Sequence, residues 1–291
     1  MGCYGMITSL KIQCVDLEQW SETTESIPMS KLLSNFPEVA HSAPRVRMWW
    51  SPFDGRVCVS KIVPTSLPRS ASNSHSWFRR RLIGYYLQQF LLYLCVWFPS
   101  FTPFVTRLIY SSIYNVPAQK IGTQSEILVV ECLFSRRTSE WSVPFEQATN
   151  VLNELNVLFT RGQLYEMNGV IEIRFVKSDR FPLSPSYSLD ENQVFVDIGL
   201  IQYCPYGTTE PYLPFQRILS RFCAICRRYG GRFHWAKEIS SNIQNLDDVK
   251  QIWGNENNRI DQWLKARNRL DLYNDFWNKR LRKLLSNGVV R

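Results

Sequence analysis

The sequence predicts an α+β fold, an antiparallel sheet with helices packed on one face. Three observations predict it. From Gly122 onward the pattern runs strand, helix, strand, strand, helix, which is a layered order and not the strict alternation of a parallel sheet. Two aromatic and β-branched runs, 45–51 and 56–63, are separated by Pro52-Phe53-Asp54-Gly55, with Asp-Gly supplying the positive φ of a hairpin. At 291 residues, 45% hydrophobic and 14% aromatic, the chain carries enough apolar surface for one large core or two smaller ones.

The elements follow in chain order. Residues 1–15 alternate in part and predict a strand; the polar stretch 16–30 predicts a loop. The hairpin comes next, then a flexible loop at 64–76 with Pro64, Pro68 and five serines. Leu82 to Phe98 is the most apolar stretch, closed by Pro99 and Pro103. Its about 17 residues lie at the short end of the spanning range, and Gln88 and Gln89 at mid-depth are costly in lipid. A helix packed on the protein or lying on a membrane surface, with Arg79 to Arg81 at its start, fits better. Ile127 to Phe134 predicts an apolar strand. Pro144 opens a helix with Phe145, Ala148, Leu152, Leu155 and Phe159 on one face. Val170 to Val176 and Val194 to Tyr203 are strands, and Phe215 to Tyr229 is an amphipathic helix stopped by Gly230-Gly231. The following His234-Trp235-Ala236-Lys237 is predicted to be extended, with His234 and Ala236 on one face and Trp235 and Lys237 on the other.

Charge and cysteines narrow the function classes. The net charge is +9, but the basic residues form no long run, and Lys279-Arg280 and Arg282-Lys283 read as the solvated face of a last helix; no nucleic-acid partner is expected. The eight cysteines are scattered, with no signal peptide expected ahead of them, and predict free thiols in an intracellular setting. Cys223-Ala-Ile-Cys226 lies inside the amphipathic helix, no second such pair exists, and the only histidines are His41, His75 and His234, so no metal site is expected.

Two clusters carry chemistry. Gly230 to Lys237 gathers a histidine, an indole and a lysine behind a helix stop; on spacing alone it reads either as a site or as a buried indole beside a solvated lysine. Glu172 and Arg174, two apart on one strand, share a face and read either as a functional pair or as an exposed ion pair. Glu140-Trp141, ahead of a helix, reads first as packing.

The run GGRFHWAK at 230–237 resembles the Gly-Gly-Arg-Pro-His-Trp-(Ala/Gly)-Lys signature of the aldonolactone oxidases, flavoenzymes of the vanillyl-alcohol-oxidase type. Further runs are similar in the same order: GCYGMITSLKIQCV at 2–15, RVRMWWSPFDGRVCV at 45–59, SEWSVPFEQA at 139–148, IEIRFVKSDRFPLSPSY at 171–187 and QYCPYG at 202–207. The resemblance implies a cap-type substrate domain at 21–291, preceded at 1–20 by the last strand of an FAD-binding domain whose remainder is expected in missing sequence or a separate chain. It implies FAD as cofactor, a sugar-1,4-lactone as substrate, O2 as acceptor, and H2O2 with an ascorbate-type product. Residue by residue it implies catalytic roles for Lys237, Arg174 and Glu172, and cofactor contacts from His234, Gly5 and Ile7. Arg174 and Lys237 would stabilise negative charge that develops as hydride leaves C2 of the lactone. An intracellular location is expected, with contact to a mitochondrial or endoplasmic reticulum membrane through the apolar stretch left open as an alternative. Phe233 departs from the signature's proline, and Leu272 stands where the family carries proline. The alternative expectation is an inactive, truncated remnant acting as a binding or membrane-surface module.

Overall fold

The computed structural model describes residues 3–69, 84–113, 118–129, 134–209, 214–254 and 258–285. Most of the serine-rich loop, Arg79 to Arg81 and Cys132 lie outside the described residues.

One antiparallel sheet organises the chain. Its eight described strands are β1 (Gln19–Pro28), β2 (Arg45–Ser51), β3 (Arg56–Thr65), β4 (Ala118–Thr123), β5 (Arg136–Pro144), β6 (Ile171–Lys177), β7 (Val194–Tyr203) and β8 (Arg232–Phe233), in the order β4-β1-β3-β2-β6-β7-β5-β8. The predicted hairpin is β2 and β3, with Gly55 at φ +66° in its turn. Because side chains alternate across a strand, the sheet has two unlike faces. On one, Met48, Trp50, Val57, Val59, Trp141, Val143, Ile171, Ile173, Val196 and Ile198 are fully buried. Burying each such side chain stabilises by about 1.5–3 kcal/mol.

Helices cover that apolar face. α1 (Met29–Ser34) and α2 (Phe36–Ala40) contribute Leu32 and Phe36 to the same core. α3 (Gln88–Trp97), α4 (Thr102–Ile113) and α5 (Gln124–Leu128) come next in the chain but pack outside this core; α6 (Phe145–Thr160) belongs to it, its Ala148, Val151, Leu152, Leu155 and Phe159 forming one buried stripe. α7 (Phe215–Arg228) buries Ile218, Leu219, Phe222, Ile225 and both Cys223 and Cys226, so this cysteine pair is core. Burial pushes the Cys223 thiol up to about 11, which keeps it protonated at neutral pH. All seven described cysteines are free. α7 stops at Gly230, φ +73°, and Gly231 donates its N–H to the Cys226 carbonyl at 2.8 Å, so close that a Cβ at 231 would lie 2.7 Å from that oxygen. α8 (Leu246–Trp253), α9 (Arg259–Leu270) and α10 (Lys279–Leu285) complete the layer; α10 buries Leu281, Leu284 and Leu285 and leaves Lys279, Arg280 and Lys283 in solvent, as read from the sequence.

The structure corrects four expectations. Residues 5–18 form no strand, and Met6, Ile7, Leu10, Ile12 and Val15 are exposed: alternation becomes a strand only where a neighbour takes up its backbone groups, and none does so among the described residues. The expected loop at 16–30 instead contains β1, paired on both sides with β3 and β4; its hydroxyl and acidic side chains hide the strand period because one face is polar. The expected strand at 127–134 is a helix through Leu128, because Thr123 and Glu126 form a reciprocal capping box that outweighs the apolar run; the neighbouring strand starts only at Arg136. Residues 130–133 lie outside the described set. Finally, the chain is extended only to Phe233: Lys237 N–H bonds to the His234 carbonyl at 3.1 Å, so His234 to Lys237 is a turn and alternation does not apply to it.

The apolar stretch at 82–98 yields α3, followed across Pro99 by α4. Gln89 is buried and accepts the Tyr206 N–H at 2.7 Å, which satisfies a polar group that lipid would leave unpaired. No helix among the described residues is long and apolar enough to cross a membrane. Tyr110 of α4 packs with Cys58, Val170 and Ile201 and donates its hydroxyl to the Trp49 carbonyl, so this helix pair sits on the sheet's second, more polar face.

Candidate functional site

The polar face of the sheet builds the site through register. Trp49, Glu172, Gly199 and Glu140 stand side by side on β2, β6, β7 and β5, and Arg47, Arg174, Asp197 and Ser142 form the next row. Over these rows lies a cavity of about 660 Å³ lined by both glutamates, Arg47, Arg174, Gly199 and Lys237, with Arg45, Arg136 and Thr138 also on its wall.

Its charges are partly paired. Arg174 Nη2 donates to Glu140 Oε2 at 2.7 Å and its Nε stands 4.0 Å from Glu172 Oε1. Glu140 is the more enclosed of the two acids, its side chain 10% exposed against 19% for Glu172. Glu172 makes no hydrogen bond to any described residue, and burial raises its carboxyl above the usual range, opposed by the nearby Arg174 and Arg47 charges. Asp197 accepts the Ser142 hydroxyl at 2.7 Å; burial pushes it up to about 6. Arg47 is held by Glu22 Oε1 at 3.2 Å and the Leu128 carbonyl at 3.2 Å, and its guanidinium lies over the Trp49 ring, 5.3 Å from the centroid.

Lys237 arrives from the turn after β8, and backbone bonds stitch that turn to β5. His234 N–H bonds to the Glu140 carbonyl at 2.9 Å and Glu238 N–H to the Thr138 carbonyl at 2.9 Å, while Arg280 donates to the Lys237 carbonyl. Trp235 anchors the turn: its indole N–H donates to the Leu183 carbonyl at 2.9 Å, and its ring lies 4.9 Å from both Phe233 and Trp253. The Lys237 ammonium has no ion-pair or hydrogen-bond partner among the described residues. The half-buried His234 has its pKa lowered, chiefly by burial, and its Nδ1 accepts the Ala236 N–H at 3.2 Å, which leaves Nε2 as the donor of a neutral ring.

Lys237, Arg174 and Glu172 are therefore brought into one cavity. His234 is not part of the lining; its backbone N–H bonds to the carbonyl of Glu140, which is. Gly5 and Ile7 do not line the cavity; they lie in the exposed N-terminal segment, whose start is pinned by buried Cys3 and by Tyr4 against Trp263, 5.5 Å between rings. Trp141 is packing, fully buried as its spacing suggested. Its neighbour Glu140, by contrast, faces the cavity. Arg47, Trp49 and Gly199 belong to no motif, and Glu140 was read with Trp141 as packing first; the alternation at 45, 47, 49 and at 136, 138, 140, 142 marks Arg47, Trp49 and Glu140 as sharing a face within their own strands.

The sequence profile of the family described as D-arabinono-1,4-lactone oxidase matches residues 10–284. L-gulonolactone oxidase of Scyliorhinus torazame is 29% identical over 254 residues, covering 86% of this chain and 54% of that enzyme. D-arabinono-1,4-lactone oxidase of Eremothecium gossypii is 31% identical over 282 residues, covering 82% of this chain and 52% of that enzyme. The chain thus spans about half the length of the curated relatives it matches. In fold it is similar to the crystal structure of cholesterol oxidase from B. sterolicum, with a TM-score of 0.67 at 12% identity over 92% of this chain and 60% of that one. With nearly its whole length matched, the chain belongs to the D-arabinono-1,4-lactone oxidase family.

Proposed function

We propose that this chain is the substrate-binding half of an FAD-dependent aldonolactone oxidase, with residues 21–291 forming the lactone site and residues 1–20 joining a flavin-carrying domain. The observation that carries this reading is one cavity holding Lys237, whose ammonium has no partner among the described residues, beside an anchored guanidinium, Arg174, and Glu172, which accepts no hydrogen bond from any described residue. That donor set suits a neutral polyol whose oxidation builds negative charge. The flavin, when bound, takes the hydride from C2 of the sugar-1,4-lactone and passes the electrons to O2, giving an ascorbate-type product and H2O2. Lys237 and Arg174 stabilise charge on the substrate oxygen as its proton leaves. Glu172 accepts hydrogen bonds from ring hydroxyls. His234, a neutral ring with Nε2 as its donor, orients Lys237 or reaches the flavin edge, and the Gly5 and Ile7 backbone amides approach the cofactor.

The test joins this chain to the flavin-carrying half of a relative. Lys237→Met should slow anaerobic flavin reduction by D-arabinono-1,4-lactone roughly a hundredfold to a thousandfold, as expected for losing one preorganised charge donor. The melting temperature should not move, because the ammonium makes no contact that folding depends on. Reduction at the wild-type rate would return Lys237 to a solvated lysine beside a packed indole.

A second reading, a membrane-surface module, rests on α3 and α4. No charged residue occurs from Gly84 to Thr106, and Phe90, Trp97, Phe98, Phe101, Phe104 and Leu108 are exposed. This reading predicts flotation with vesicles and release by carbonate washing. Failure to float would leave the apolar face to a protein contact.

A further inference from the structure

The register of the sheet leaves one gap in the cavity wall. Gly199 stands between Glu172 and Glu140 on adjacent strands, the three in a single row. Its φ is not in the left-handed region, so backbone conformation does not demand glycine there. Nor does crowding: a Cβ at 199 would meet Glu172 Cβ at 3.6 Å and Glu140 Oε2 at 3.8 Å, ordinary contact distances. A glycine inside a strand weakens the sheet and needs another reason, of which close approach of a ligand is one. At Gly169, by comparison, the reason is local, because a Cβ there would lie 1.9 Å from the Ile201 carbonyl oxygen.

We propose that Gly199 is a specificity-determining position: it opens a notch, walled by the Glu140 and Glu172 carboxylates, that takes adjacent hydroxyls of a polyhydroxylated lactone ring. The inference rests on the aldonolactone reading of this cavity and deepens it. Glu172 has no hydrogen-bond partner among the described residues, and only one oxygen of Glu140 is used by Arg174. The two carboxylates flanking this position therefore offer several free acceptor sites, which is the complement of neighbouring O–H groups. Arg174, bound to Glu140 at 2.7 Å and 4.0 Å from Glu172, fixes the two acids on either side of the notch. A ring lacking hydroxyls leaves those half-buried acceptors without donors, and discrimination against it follows from that loss.

The experiment measures binding of D-arabinono-1,4-lactone, and of γ-butyrolactone as the same ring without hydroxyls, to this chain by calorimetric or NMR titration. The wild type should prefer the hydroxylated ring at least tenfold. Gly199→Val should abolish that preference and Gly199→Ala should reduce it at least threefold, while both keep or raise the melting temperature, since a side chain adds strand propensity. A merely structural glycine would behave in the opposite way, losing stability without changing the ratio. Glu140→Gln and Glu172→Gln should each lower the preference without altering shape. Equal affinity of the wild type for the two rings, or an unchanged ratio in Gly199→Val, overturns the notch. Selective binding without flavin reduction in the joined protein overturns the oxidase reading and leaves the notch standing.

Discussion

Replacing Phe233 by alanine tests how the Lys237 turn is held. Phe233 is fully buried, with Trp141, Trp253 and Trp235 at 5.8, 5.6 and 4.9 Å between ring centroids, all near edge-to-face. A buried Phe→Ala change costs about 3–5 kcal/mol from lost transfer energy and residual cavity. Each aromatic contact adds roughly 0.5–1.5 kcal/mol beyond area. The three indoles are themselves braced by the sheet and by α8, so the cavity cannot collapse, and the upper end of the range applies. At roughly 2 °C per kcal/mol for a chain of this size, the melting temperature should fall by about 8 °C or more. Calorimetry measures the shift, and near-ultraviolet circular dichroism reports the loosened indoles. Phe233→Leu should recover more than half of the loss. A fall under about 2 °C for Phe233→Ala would refute the packing argument, because the turn would then be held by its backbone bonds alone. Under the proposed function, affinity for the lactone should fall with stability, since Lys237 lies four residues beyond Phe233.

Two further outcomes follow from the structure. Asp197 has a folded-state value of about 6 against an ordinary 3.8, so the native chain holds an extra proton between about pH 4 and 6 and stability falls as pH rises through that window. Asp197→Asn should flatten that part of the pH–stability profile and raise stability at pH 7 by on the order of 2 kcal/mol; denaturant titrations at pH 4.5 and 7 check it, and an unchanged slope counts against the burial. Gly169→Ala drives a methyl into the Ile201 carbonyl and should cost at least about 3 kcal/mol, visible as loss of soluble folded protein; a stable variant would show that β7 can shift away.

Where one periodic pattern met one continuous environment, the sequence alone was enough. Ile171 to Lys177 and Val194 to Tyr203 alternate or run apolar because one side always meets the core, and the stripes of α6 and α7 repeat at helical spacing because each packs on one sheet face. Glu172 and Arg174 were legible as a pair because two residues on one strand must share a face. β1 was not, since its polar face gives Ser, Thr and Glu where an apolar period was sought, and α5 was not, since a capping box decided a segment whose hydrophobicity pointed to a strand. The extended form expected after Phe233 failed because three backbone bonds to β5 and to the turn itself cost less than leaving those groups unpaired. The completion of the site was decided by tertiary structure. Glu140, Gly199 and Arg47 meet Glu172 and Arg174 only through the register of β2, β6, β7 and β5. A period of two tells which residues share a face of their own strand; which strands become neighbours, and in what register, is set by the packing of the whole sheet against its helices.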